Sequence, residues 1–185
     1  KGPSSEKKIS LKSGRAVLKA LRNFGVNAIP VIIERGDIKE NIRLIRAKAI
    51  DVAFIALHGK FGEDGTVQKI LGLMGIPYTG SGVKASRLAM DKAASRRIFK
   101  RSGLNVPKSK VIKSISGLAG ITGNLKFPLV IKPATHGSSI GFSIIRSSAQ
   151  LKKAVRYAMK FDRRVILEEF IKGREVTVGI LEEKA

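Results

Sequence analysis

The chain has 185 residues, enough for one ordinary domain or two small ones, and its 43% hydrophobic and 27% charged residues are those of a soluble globular protein. It has no cysteine, which excludes a disulfide framework, a thiolate metal site and a cysteine nucleophile, and no apolar run reaches the ~20 residues of a bilayer span. Lys and Arg number 36 against 14 Asp and Glu, a net charge of +22, but the basic residues are spread along the chain and only 8 Phe and 2 Tyr are present to stack bases, which argues against a specific nucleic-acid binder and for a generally basic surface.

Lys1 to Ser10 is basic and polar with no apolar stretch behind it, so no secretory signal is read and a cytoplasmic protein is expected. Leu11, Val17, Leu18, Leu21 and Phe24 recur at helical spacing and predict a helix over 10–24. Residues 27–33 are β-rich and read as a strand, 38–50 as a helix, and the apolar run 51–57 as a buried, parallel strand. A glycine- and acid-rich loop follows at 58–65, then a helix over 66–74 ended by Gly75, then a connector at 76–82 with strong turn chemistry. This order predicts an α/β half-domain with a parallel sheet whose first strand is missing.

The second half reads differently. A helix over 83–101, broken once, stops at Gly103, and a strand candidate runs over 106–112. Residues 114–126 yield no assignment. Strands are predicted at 127–133, 142–146, 165–171 and 174–181, with a Gly-Ser loop at 137–141 and a helix at 148–161. This is an α+β pattern, and the boundary between the halves falls near residue 85. The basic pairs Arg96-Arg97, Lys152-Lys153 and Arg163-Arg164 are placed mostly on exposed helix faces.

Three segments could carry chemistry. Lys132 closes a buried-looking strand, and Gly137-Ser138-Ser139-Ile140-Gly141 follows five residues later. Loop N–H groups, hydroxyls and a nearby lysine suit phosphate oxygens, although the order is not that of a Walker A loop, and an ordinary hairpin would use the same glycines. Glu168 and Glu169 end an apolar run and Glu175 follows Gly173; such carboxylates can accept from an amino group or ribose hydroxyls, or can simply be solvated strand ends. His58 opens a loop beyond a predicted sheet strand, where open α/β sheets bind ligands; a metal site or a structural turn are the other readings of its His, Glu and Asp.

Taken together, these segments resemble the D-alanine–D-alanine ligases, a branch of the ATP-grasp superfamily. The likeness rests on Ser4-Ser5-Glu6, His58 through Gly65 with Gln68, Pro77 through Gly82, Ser86, Met90-Asp91-Lys92, Phe127-Pro128, Lys132-Pro133, Gly137 through Gly141, and Glu168 through Glu175. It implies an α/β N-terminal domain at 1–85, an ATP-grasp central domain at 86–176, and the start of a C-terminal domain at 177–185 whose remainder is absent. It implies that Glu6 holds the ammonium of a first D-alanine, with Ser138 positioning it and His58 beside it. Lys92 and Lys132 would bind ATP phosphates, and Gly137, Ser138, Ser139 and Gly141 would close over them. Glu168 would meet the adenine amino group, the backbone of Glu169 and Ile171 the adenine edge, and Glu175 the ribose. The implied reaction phosphorylates one D-alanine carboxylate from ATP and lets the second amine attack the acylphosphate, for peptidoglycan and hence cell-wall synthesis. Two magnesium ions are implied, with no ligands expected in this chain, and so is a homodimer. A ligase making D-Ala-D-lactate or D-Ala-D-serine, or a nucleotide-binding fragment without catalysis, are the alternatives.

Overall fold

The structure is a computed structural model and describes residues 4–118 and 125–179. The elements run α1 (Lys7–Asn23), α2 (Ile38–Arg46), α3 (Thr66–Leu73), α4 (Val83–Met90), α5 (Lys92–Arg101), β1 (Ser109–Ile112), β2 (Leu129–Pro133), β3 (Ser143–Ile145), α6 (Ser148–Met159) and β4 (Val165–Glu169). No helix of the described residues is long and apolar enough to cross a membrane.

Local chemistry sets several of these boundaries. Asp37 starts α2 by accepting the Glu40 N–H at 2.7 Å, while Arg43 and Arg46 sit in its last turn, where cations suit the helix dipole. The single break expected within 83–101 falls at Asp91. Its backbone leaves the helical region (φ −89°, ψ 92°), and its carboxylate accepts the Ala93 and Ala94 N–H groups as the cap of α5. In α6 the buried residues Leu151, Ala154, Val155 and Ala158 form one i, i+3, i+4, i+7 stripe.

The four strands form one antiparallel sheet in the order β1-β4-β2-β3. Alternation along it produces two faces. Ile112, Leu129, Ile131, Ile145, Val165 and Leu167 join the stripe of α6 in a closed core. Val130 pairs with Glu168 and Lys132 with Ile166, so Lys132 and Glu168 are diagonal neighbours on the opposite face.

The first half departs from expectation. Among the described residues, 27–33 and 51–57 form no strands, and the parallel sheet is reduced to one parallel bridge between Ala53 and Tyr78. The Ala53 N–H bonds to Pro77 O and the Thr79 N–H to Ala53 O, but the next donor, Ile55 N–H, is taken by the Thr79 hydroxyl at 3.1 Å, so the ladder does not continue. A second apolar cluster nevertheless forms here, with Ile33, Ile45, Phe61, Val67, Ile70 and Leu71 buried. The strand predicted over 174–181 is likewise not formed at 174–179, and its last two residues lie outside the described set, as do 119–124 of the unassigned stretch and 180–185 of the expected further domain.

Candidate active site

Glu6 stands at the N-terminus of α1, where the preceding turn is tied to the loop at 58–65. Ser4 Oγ donates to His58 O and accepts the Glu6 N–H, both at 2.9 Å. Ser10, one turn into α1, donates to Glu6 O at 3.2 Å and accepts the His58 N–H at 2.9 Å. Ser13 Oγ lies 3.1 Å from His58 Nε2, and Glu63 lies 3.6 Å from Nδ1. The loop is held closed from within: Glu63 accepts the Gly59 N–H, Asp64 accepts those of Phe61 and Thr66, and buried Gln68 donates to Gly62 O. Gly62 packs against Leu57 so closely that a Cβ would meet its carbonyl oxygen at 2.6 Å, which leaves room for glycine alone.

Ser138 donates to the Glu6 carboxylate across the two halves of the chain. It belongs to the 137–141 loop, where Ser138 (φ 50°), Ser139 (φ 58°) and Gly141 (φ 71°) are all left-handed. A Cβ on Gly141 would meet Pro133 and Phe161 at 2.7 Å. Left-handed serines are costly and persist only where surrounding contacts hold them. Those contacts begin at Thr135, whose N–H and hydroxyl both donate to Asp162 Oδ2. Asp162 also accepts the Arg164 N–H, and Arg164 reaches Asp91 Oδ2 at 2.8 Å. Burial works to raise the Asp91 carboxyl, but the Arg164 guanidinium and the α5 N–H groups outweigh it and hold it below the usual carboxylate range.

Beside this loop lies a group of cations around one carboxylate. Glu168 on β4 is only 5% exposed, which makes an unpaired charge there untenable. Its Oε1 lies 2.5 Å from Lys132 Nζ on β2, and its Oε2 pairs with Arg96 on α5. Lys92, one turn before Arg96 on the same helix, donates from Nζ to His136 O and from its N–H to Ala134 O. Burial first, then the positive Arg96 and Lys92, push Lys132 down to about 8. Burial and Arg96 also lower Lys92, although Asp162 and Asp91 oppose this. Two cations therefore share the Glu168 carboxylate, and Lys92 stands close enough to both to disfavour their charge, an arrangement that an anion would relieve. The sheet face beneath is apolar, with Val130 and Ile166 buried and Ile144 and Val111 partly open. The cations at this face suit the phosphate oxygens of an anionic ligand.

The structure thus brings Glu6, His58 and Ser138 together, and Lys92, Lys132 and Glu168 together, with the 137–141 loop joining the two groups. Others stand apart. The Glu169 side chain accepts the Lys108 N–H and its own N–H bonds to Lys108 O, so it extends the pairing of β1 with β4. Ile171 is 61% exposed, and Glu175 is exposed outside any strand. Arg96 is the addition: read as half of an exposed basic pair, it is instead partly buried on Glu168 while Arg97 is exposed. Its spacing of four from Lys92 was the available signal, since that spacing puts both on one helix face. Among the described residues no three His, Asp or Glu side chains converge on a common point.

Comparison with known proteins points the same way. The family model described as D-ala D-ala ligase N-terminus matches residues 35–81, and the one described as D-ala D-ala ligase C-terminus matches 98–185. The chain is 45% identical over 184 residues to a D-alanine--D-alanine ligase of Geobacter sulfurreducens, which covers 100% of the chain and 57% of that relative. With its counterpart in Pseudomonas putida (strain GB-1) it shares 43% over 180 residues, 97% of the chain and 55% of the relative. The crystal structure of D-alanine--D-alanine ligase from Bacillus anthracis complexed with ATP superposes with a TM-score of 0.80 at 35% identity, covering 93% of this chain and 57% of that one. The VanG D-Ala:D-Ser ligase from Enterococcus faecalis superposes with a TM-score of 0.77 at 30% identity, over 93% and 61%. The chain therefore spans a little over half the length of the curated relatives it matches.

Proposed function

Because this chain belongs to the D-alanine–D-alanine ligase family, we propose that it carries the ATP-binding and first-substrate parts of an enzyme that joins two D-alanine molecules in peptidoglycan synthesis. The observation that supports this most is the junction at Ser138. One loop touches the carboxylate suited to an amino-acid ammonium and flanks the cations suited to a polyphosphate. A phosphoryl group passing from ATP to a D-alanine carboxylate would cross that junction. Glu6 would fix the ammonium so that the substrate carboxylate points toward the loop, while Ser138 orients Glu6. Lys92 and Lys132 would offset charge on the phosphate oxygens, and the loop N–H groups would cover them. Water kept out by that loop cannot hydrolyse the acylphosphate before the second amine attacks it. His58, held beside Glu6 by Ser13 and Ser10, would line the same substrate position.

The test is a titration of the chain with ATP and magnesium, with and without D-alanine, following both nucleotide binding and phosphate release. ATP binding strengthened by D-alanine is the expected result, and D-alanine-dependent phosphate release would place the whole first step in this chain. A folded chain that binds no ATP would overturn the proposal.

The same titration carries a pH signature. Lys132 is lowered to about 8 in the free protein, and phosphate oxygens favour its charged form. As pH rises through that value the free ammonium is lost, so ATP affinity should fall about tenfold between about pH 7 and about pH 9, with proton uptake on binding. Calorimetry in two buffers of different ionisation enthalpy reads the uptake. Lys132→Arg, which stays charged throughout, should flatten the profile; an unchanged slope would remove Lys132 from the phosphate site.

A further inference from the structure

We propose that the basic face of α1 docks this chain on an anionic phospholipid surface, a role independent of the ligase reading above. Residues 7–33 hold six Lys and Arg and no Asp or Glu. The helix gathers five of those six into one row. Lys8, Lys12, Arg15, Lys19 and Arg22 follow one another at alternating spacings of four and three, all are exposed, and the row runs about 21 Å along α1. Among the described residues no ion pair includes any of them. Like charges three and four apart on a helix repel, and Lys7 and Lys8 in the first turn oppose the helix dipole, so the row costs the free chain stability. An anionic partner relieves both effects.

Two features single out a lipid surface among polyanions. Arg15, Lys19 and Arg22 line a groove of about 260 Å³ with Leu18 and Asn23, and its wall holds no carboxylate. Three cations around a space of that size suit the phosphate of a headgroup. Beside the basic row, Ala16, Ala20 and Phe24 stand four residues apart and exposed, Phe24 at 87%. Val26 and Ile29, 49% and 43% exposed, continue apolar surface into the segment after the helix. A basic row flanked by an apolar one is the pattern of a helix lying in a membrane interface, with cations at the headgroups and apolar side chains at the acyl boundary. A nucleic-acid duplex would use the cations but leave Phe24, Val26 and Ile29 without a partner. The other side of α1 stays with the protein: Leu11, Leu18 and Leu21 are partly buried, and a Cβ on Gly14 would touch Ala56 at 3.7 Å.

The experiment is co-sedimentation of the full chain with vesicles of phosphatidylcholine alone or mixed in equal parts with phosphatidylglycerol, with thermal melts to confirm folding. The chain is expected to bind the mixed vesicles and to leave phosphatidylcholine alone in suspension. Arg15→Glu with Lys19→Glu should weaken that binding about tenfold or more, since each basic side chain near such a surface contributes a several-fold gain. Lys152→Glu with Lys153→Glu, an equal change of net charge at exposed positions of α6, should leave it within about threefold. Phe24→Ser should weaken it about threefold or more without any change of charge. Should the α1 reversal fail to fold, Lys12→Gln with Lys19→Gln reads the same loss. If the α1 and α6 reversals weaken binding equally, overall charge is the cause and the inference is overturned. If Phe24→Ser has no effect and the α1 reversal weakens binding to a DNA duplex as much as to vesicles, the row is a site for nucleic-acid phosphates and the inference is overturned. Displacement by inorganic phosphate beyond that by chloride at equal ionic strength would make the groove a site for the free ion and overturn it as well, as would no binding to the mixed vesicles.

Discussion

Glu168→Ala is expected to lower the stability of the chain by about 3–5 kcal/mol in urea unfolding, because removing one member of a buried charge group leaves its partners uncompensated. Lys132 and Arg96 have side chains only 21% and 17% exposed, and Lys92 adds a third positive charge nearby. The same substitution should change ligand binding in two directions. Inorganic tripolyphosphate should bind more tightly than to the unaltered chain, since Lys132 and Arg96 then lose the carboxylate they share. ATP should gain less, or lose, because the acceptor for its amino group is gone and a charge-assisted hydrogen bond is worth about 1.5–3 kcal/mol. A saturating polyanion should restore much of the lost stability by binding only the folded state. Equal stability of Glu168→Ala and the unaltered chain would mean that the cations relax into solvent and that the ion group is not structural. Equal gains for tripolyphosphate and ATP would mean that Glu168 does not meet the base.

The motif residues were legible because their chemistry is local. Gly62 and Gly141 are required where a Cβ would strike Leu57 and Pro133, and Asp91 breaks and caps a helix within four residues of sequence. Local too were the helices, whose apolar stripes and breakers stand in one window of sequence. The strands at 27–33 and 51–57 show where that reasoning stops. Their composition is right for strands, but a strand exists only if a partner offers a continuous row of donors and acceptors, and here the Thr79 hydroxyl takes the Ile55 N–H. Arg96 shows the same limit in charge. A pair of arginines reads as solvated surface until a carboxylate 72 positions away is known to pack on one of them. The brace from Asp91 through Arg164 and Asp162 to Thr135 is equally invisible in sequence, although it fixes the base of the Gly-Ser loop. What sequence supplies is thus the inventory of groups, and what folding adds is which charges compensate which.

Gly59→Ala is the sharpest test of the substrate half, and it should abolish or greatly weaken D-alanine binding while ATP still binds. Gly59 holds φ at +72°, where an alanine is strained, and its new Cβ would lie 2.0 Å from Glu6 Oε2 and 3.0 Å from Ser4 Oγ. The Glu6 carboxylate is the end of a flexible chain and can swing away, but then it leaves both Ser138 and the position suited to an ammonium. Loss of one charge-assisted hydrogen bond corresponds to an affinity fall of about 10- to 150-fold. Glu6→Gln keeps the shape without the charge and should reproduce the loss with less disturbance of the loop at 58–65. Gly72→Ala serves as the control, since its Cβ would touch nothing within 4 Å and it lies inside α3, where alanine is the better helix former. Calorimetry of D-alanine into the ATP-saturated chain distinguishes these outcomes. If Gly59→Ala and Glu6→Gln both bind D-alanine as the unaltered chain does, Glu6 is not the ammonium site, and its bond to Ser138 is only a structural link between the two halves.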